Sequence, residues 1–111
     1  MSRCLLIRAI IRREKLPEVL KALVDSGLQG ATVYREVEGM GGEGGVVVIG
    51  GEVYDALTPR VAVDIVVDEK EVEKVVNTIL KTAKTGSVGD GRIFVLSVEQ
   101  AYRIRTGEKL C

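Results

Sequence analysis

The amino-acid sequence predicts an α+β fold, one sheet backed by two helices, and three observations carry that prediction. At 111 residues the chain can bury one hydrophobic core but not two, so residues 1–111 are read as a single domain. Apolar residues make up 46% of it and aromatic residues only 4%, which leaves Val, Ile, Leu and Ala to fill the core. Alternating apolar positions in four segments and helical spacing in two others then give the order of elements.

Leu5, Ile7, Ala9 and Ile11 alternate with Cys4, Leu6, Arg8 and Ile10, a first strand that is largely apolar on both faces near its middle. A helix follows: Pro17 suits its first turn, Val19, Leu20, Leu23 and Val24 recur at helical spacing, and Gly27 fits the position just past its end. A second strand is expected from about Ala31 to Val37. Seven of the thirteen residues from Gly39 to Gly51 are glycine, a composition that makes regular structure entropically costly, so a long mobile loop is expected over about 39–58. Val61 to Val67 reads as the third strand. Asp68, with Glu71 three residues later, is a capping-box-like start for a second helix whose stripe runs Val72, Val75, Val76, Ile79, Leu80 and Ala83 and which Gly86 closes. After the turn from Thr85 to Gly91, a fourth strand runs from Arg92 to about Tyr102. The order βαββαβ is the ferredoxin-like split βαβ arrangement, a sandwich with both helices on one sheet face. The strands are apolar on the other face as well; a second copy of the chain is its natural cover, and an oligomer is expected.

Sixteen basic and sixteen acidic residues cancel, which removes the footprint of a protein that binds nucleic acid or an anionic membrane through its whole surface. No stretch has the apolar length of a membrane span, and the N-terminal segment, with Arg3 and Arg8, lacks a cleavable signal pattern, so a cytoplasmic location is expected. Cys4 and Cys111 are the only cysteines; a disulfide between them is possible, and two unpaired thiols are the favoured reading. Without histidine, the Ser-His-Asp arrangement and most zinc sites are excluded. No catalytic or metal-ligating set is assigned.

The most informative stretch is Thr85-Gly86-Ser87-Val88-Gly89-Asp90-Gly91-Arg92. Its glycines let successive backbone N–H groups converge, as a nest around phosphate oxygens requires, and Arg92 adds a forked cationic donor. The plain alternative is a glycine-rich turn joining helix to strand. Arg103 and Arg105 flank Ile104 in what reads as extended chain, which would point both guanidinium groups the same way, toward an anion or toward water. Gly39-Met40-Gly41-Gly42-Glu43-Gly44 matches GxGxxG, but it runs into Val46 to Ile49 rather than into a helix, so the match is read as coincidental.

Thr85 to Val95, with Arg103-Ile104-Arg105-Thr106-Gly107-Glu108, resembles the phosphate-binding loop and the C-terminal loop of PII signalling proteins, and the similarity extends from Ile7-Arg8-Ala9-Ile10-Ile11-Arg12 to Glu108. The resemblance implies a homotrimer that holds ATP or ADP between subunits, with magnesium possible beside ATP. It implies that Gly89, Asp90, Gly91 and Arg92 of the loop at 85–92 hold the phosphates, that Arg103 and Arg105 of the C-terminal loop at 103–111 reach them from a neighbouring subunit, and that Thr85, the segment from Ile7 to Ile10, Val66 and Gly41 lie near the nucleotide.

The same resemblance makes the glycine-rich loop a partner-docking element, with Glu43, Val46, Val47, Val48, Ile49, Tyr54 and Arg60 as its effector and partner residues. Its apolar run Val46 to Ile49 would dock on a partner, or else close as a short hairpin on its own domain. The implied partners are an ammonium transporter, a nitrogen-metabolism enzyme or nitrogenase. Glu43 and Gly44 stand where relatives that sense 2-oxoglutarate carry glutamine and lysine, and a carboxylate there would repel a dicarboxylic acid. A PII-like nucleotide sensor outside nitrogen metabolism is therefore the alternative. Tyr54 lies close to a tyrosine that some relatives modify, and Arg13 replaces a family proline. An enzyme is the remaining class, with Asp90, Glu43 and Asp64 as candidate bases that nothing in the sequence positions.

Overall fold

Alternation along the strands decides which side of the sheet the helices cover. The computed structural model describes residues 3–40 and 46–111, so Gly41 and Glu43, which the sequence assigned to the nucleotide and the effector, lie outside the described residues. In chain order the elements are β1 (Cys4–Ile11), α1 (Leu16–Asp25), β2 (Thr32–Met40), β3 (Val46–Ile49), β4 (Glu52–Asp55), β5 (Leu57–Asp68), α2 (Val72–Ala83) and β6 (Gly91–Val98), with a short 3-10 turn leading into each helix. β2, β5, β1 and β6 lie side by side in that order as one antiparallel sheet, the arrangement the sequence predicts. Odd-numbered residues of β1 and β5, from Ile7, Ala9 and Ile11 to Val61, Val63, Ile65 and Val67, form one core with Leu16, Val19 and Leu23 of α1 and Val75, Ile79 and Ala83 of α2. Among the described residues no helix covers the opposite face, and Tyr34, Val66, Phe94 and Leu96 stand exposed on it.

Local chemistry marks the end of α1 and the start of α2. Gly27, at φ +101°, turns the chain after α1, and the Leu28 N–H returns to the Leu23 carbonyl at 3.0 Å. Asp68 accepts a hydrogen bond from the Lys70 N–H at 3.1 Å, capping the 3-10 turn ahead of α2. α2 stops at Ala83, so Gly86 does not close it and belongs to the loop that follows.

Four other expectations are corrected. β2 and β5 are longer than the runs at 31–37 and 61–67, because they pair past an irregularity between Tyr34 and Val37 as far as Met40 opposite Leu57. The expected loop contains a hairpin: Gly50 and Gly51, at φ +58° and +84°, form a two-residue turn between Ile49 and Glu52, since glycine alone takes two successive left-handed positions without strain. That hairpin is a separate two-stranded sheet and does not close onto the main one. The fourth strand ends at Val98 rather than near Tyr102, and Tyr102 bridges Lys109 across a turn. Cys4 and Cys111 are joined in a disulfide, with Cα atoms 5.9 Å apart, because that turn brings the C-terminal residues back beside β1. Among the described residues no helix is long and apolar enough to cross a membrane.

Candidate functional site

The loop between α2 and β6 is built around one carboxylate. Asp90 accepts from the backbone N–H groups of Thr85 and Gly86, each at 2.9 Å, and from the Thr85 hydroxyl. On its other side the Arg12 guanidinium donates to it at 3.0 Å and to the Val88 carbonyl at 3.0 Å. Arg12 reaches this place by register: β1 pairs with β6 up to Ile11 opposite Gly91, so the next residue along each path is Arg12 on one side and Asp90 on the other. Its side chain is 12% exposed. The Thr85 hydroxyl and amide, then the Gly86 amide and Arg12, hold the Asp90 carboxyl well below the usual carboxylate range. Asp90 is thus spent on the shape of the loop. Arg12 was not singled out from the sequence, because only the register of β1 against β6 sets it opposite Asp90.

Gly91 has a stricter requirement. At φ +105°, a Cβ there would lie 1.7 Å from the Ile10 carbonyl oxygen, so only glycine lets the loop join β6 at this distance from β1. Gly89 has φ +101° and Gly86 φ +89°, and the loop turns through left-handed conformations at all three.

This loop forms one wall of an open groove of about 440 Å³, lined by Ile10, Gly39, Met40, Arg60, Val88, Gly89, Gly91, Arg92 and Phe94. Two guanidinium-bearing residues therefore share it with the glycine backbone. Arg60 is 8% exposed and donates to the Pro59 carbonyl at 2.9 Å; Arg92 is exposed. The groove brings together Ile10, Gly89, Gly91 and Arg92 of the predicted nucleotide set and Arg60 of the predicted effector set.

Val66 and Arg103 line a second groove of about 970 Å³, which also involves Leu6, Thr32, Tyr34, Asp64 and Leu110. One chain therefore does not bring Arg103 into the groove of the glycine loop. The extended geometry expected for residues 103–105 is also absent: Ile104, Arg105 and Thr106 form a turn, closed by the Gly107 N–H to the Arg103 carbonyl at 2.7 Å and the Arg103 N–H to the Glu108 carbonyl at 2.8 Å. Arg103 pairs with Glu108 at 3.5 Å, and Ile104 at the tip is fully exposed.

The two described carboxylates proposed as bases are both committed. Asp64 receives a two-point fork from Arg8, Nε and a terminal nitrogen each at 2.8 Å, across the β1–β5 pair. That hydrogen bonding lowers the Asp64 pKa, as Asp90 is lowered by its own partners, and an acid held ionised by bound donors is a poor proton acceptor.

A family model described as "Nitrogen regulatory protein P-II" matches residues 4–108, which spans β1, the glycine loop and the C-terminal turn. The chain belongs to the P-II family. Among its P-II relatives, the P-II 2 protein of Methanothermobacter thermautotrophicus is 46% identical over 104 residues, covering 92% of this chain and 90% of that one. The P-II protein of Nostoc punctiforme is 47% identical over 105 residues, 93% of each chain. The crystal structure of Arabidopsis thaliana PII bound to citrate superposes with a TM-score of 0.79 at 36% identity, covering 96% of this chain and 88% of that chain. The family is named for nitrogen regulation, and the relatives are named as regulatory proteins.

Of the residues expected to dock in this P-II chain, Val46 to Ile49 and Tyr54 line neither groove, whereas Arg60 lines the first. Val46, Val47, Val48 and Ile49 of β3 are exposed, as are Val53 and Tyr54 of β4, and the Tyr54 hydroxyl donates to Glu52 at 2.8 Å. These exposed apolar side chains belong to a two-stranded ribbon that, among the described residues, is not hydrogen-bonded into the main sheet.

Proposed function

We propose that the chain assembles as a homotrimer that holds ATP or ADP in the clefts between copies, and that the bound nucleotide sets how the β3–β4 hairpin presents itself to a nitrogen-metabolism partner. The observation that carries this reading is the pre-shaped glycine loop sharing one groove with Arg60 and Arg92, while Arg103 and Val66 line a different one. Joining the two grooves takes two copies. The uncovered sheet face, with Val66, Phe94 and Leu96 exposed, supplies the apolar surface for that assembly.

In this reading Gly89 and Gly91 offer backbone to the phosphates, Arg92 supplies charge, and Arg103 and Arg105 of the neighbouring copy complete the grip. Asp90 and Arg12 keep the loop in its binding shape. A charge-assisted hydrogen bond contributes roughly 1.5 to 3 kcal/mol. Micromolar binding needs about 8 kcal/mol, so several such bonds suffice after association losses. That a relative is described as bound to citrate supports a place for a multiply charged anion on this fold. Among the described residues no cluster of acidic or cysteine side chains is arranged to hold a metal, so magnesium would arrive with the triphosphate.

The signal would pass by differential contact. ATP and ADP differ at the γ-phosphate, and only a contact made with one of them can bias the hairpin. An ammonium transporter, a nitrogen-metabolism enzyme or nitrogenase are the partner classes this reading admits. Calorimetry with ATP and ADP, each with and without magnesium and 2-oxoglutarate, alongside a mass measurement in solution, tests it. Micromolar nucleotide binding by a trimer is expected; a monomer, or no binding of either nucleotide, overturns the reading.

A further inference from the structure

We propose that Cys4 and Cys111 form a reversible thiol–disulfide exchange site which fixes the arginine-bearing C-terminal turn beside β1, so that reduction weakens polyphosphate binding. This rests on the nucleotide reading above. The two cysteines are 107 positions apart in sequence and covalently joined. The hydrogen bonds described for residues 100–110 run within that segment: Leu110 N–H to the Ala101 carbonyl, Arg103 N–H to the Glu108 carbonyl, Gly107 N–H to the Arg103 carbonyl, Tyr102 to Gln100, and Glu108 N–H to Thr106. Its ion pair, Arg103 with Glu108, is internal too. None of these described bonds ties the turn to the sheet, and the disulfide joins its returning arm to β1. Leu110, the neighbour of Cys111, lines the same groove as Arg103, so the anchor lies at the groove that Arg103 serves.

Access favours one sulfur. Cys4 is 1% exposed, whereas Cys111 is partly exposed. The reacting partner is a dithiol. One of its thiolates attacks the Cys111 sulfur, the bond to Cys4 breaks, and Cys4 leaves as a thiolate that takes up a proton. The second thiolate of the partner then attacks the mixed disulfide, Cys111 departs as a thiolate and is protonated, and the partner leaves as its own disulfide. A disulfide oxidant runs the exchange in reverse. Reduction frees the turn, which must then surrender more conformational freedom each time Arg103 engages an anion, and affinity falls.

The test compares oxidised protein, protein reduced with dithiothreitol, and the Cys4→Ser/Cys111→Ser double variant, by amide hydrogen exchange and by ATP calorimetry. On reduction two thiols become titratable, amides of residues 101–110 exchange roughly tenfold faster while those of β1, β5 and β6 keep their protection, and ATP binding weakens roughly tenfold. Reoxidation restores both, and the double variant behaves as the reduced form under either condition. Unchanged exchange at 101–110 overturns the proposal, as does unchanged affinity despite faster exchange. So does a bond that fails to re-form in a mixture of oxidised and reduced glutathione. ATP binding in neither state overturns the nucleotide reading and the coupling with it; the faster exchange would persist, which separates that failure from a failure of the redox site.

Discussion

The two glycine-rich regions of this chain, 39–51 and 85–91, look alike in composition, but the described glycines of each, Gly50 and Gly51 against Gly86, Gly89 and Gly91, serve different kinds of structure. In the second, a single carboxylate draws in two backbone N–H groups, a hydroxyl and a guanidinium, so the glycines supply unusual backbone angles inside a closed network. In the first, Gly50 and Gly51 supply the turn of a hairpin whose strands pair with each other and whose side chains face solvent. Glycine content therefore does not decide whether a segment is held. The presence of a polar side chain that closes the turn does, and here it separates the loop held by Asp90 from the exposed β3–β4 ribbon.

The sharpest way to break this comparison is to add one methyl group to each region. Gly91→Ala forces a left-handed alanine and drives its Cβ into the Ile10 carbonyl, so a loss of about 3 kcal/mol or more in urea unfolding is expected. Gly51→Ala also adopts a left-handed angle, but a Cβ there meets nothing within 4 Å and the hairpin stands outside the main sheet, so about 1 kcal/mol or less is expected. Equal losses at the two sites would contradict the distinction.

A smaller effect comes from Asp90→Asn, which keeps the shape of the side chain and removes its charge. Amides of Thr85 and Gly86 should lose protection against exchange, and ATP affinity should fall roughly tenfold while the fold is kept. The same group fixes a pH dependence. Because the folded pKa of Asp90 is lowered, its contribution is fully present above the unfolded value of about 3.9 and is lost as pH falls through the folded value. A carboxyl resonance for Asp90 that titrates at or above about 3.9 would show that the network does not hold the loop.

The smallest effect belongs to the ribbon. Val48→Asp places a charge on an exposed strand position and should change stability by no more than about 0.5 kcal/mol, with nucleotide affinity intact and partner capture lost in a pull-down. A marked loss of stability would mean that the ribbon is part of the folded core after all.

Particular residues show how far the sequence could be read. Alternation at Leu5 to Ile11 and Val61 to Val67, with the stripes of both helices, specified the layering, because burial on one face is what the pattern encodes. Gly50-Gly51 between the run Val46 to Ile49 and the pair Val53-Tyr54 was a readable hairpin signal, obscured by the glycines around it. The role of Asp90 was harder to see: composition marks a carboxylate in a phosphate-loop pattern, and only the register of β1 against β6 brings Arg12 to it. The Cys4–Cys111 bond depends on the chain turning back at residues 104–106, which two arginines flanking an isoleucine had suggested would be straight.

If one anion site is shared between copies, two variants defective on opposite sides of it should complement each other when mixed. Arg92→Ala removes charge from the loop side and Arg103→Ala from the other side, so each alone should bind ATP weakly. Co-refolded in equal amounts, they should regain wild-type affinity in about one cleft in four, the share that random assembly gives an intact loop beside an intact Arg103. If mixing restores no binding, or if Arg103→Ala alone binds ATP as the unaltered protein does, the shared site does not exist.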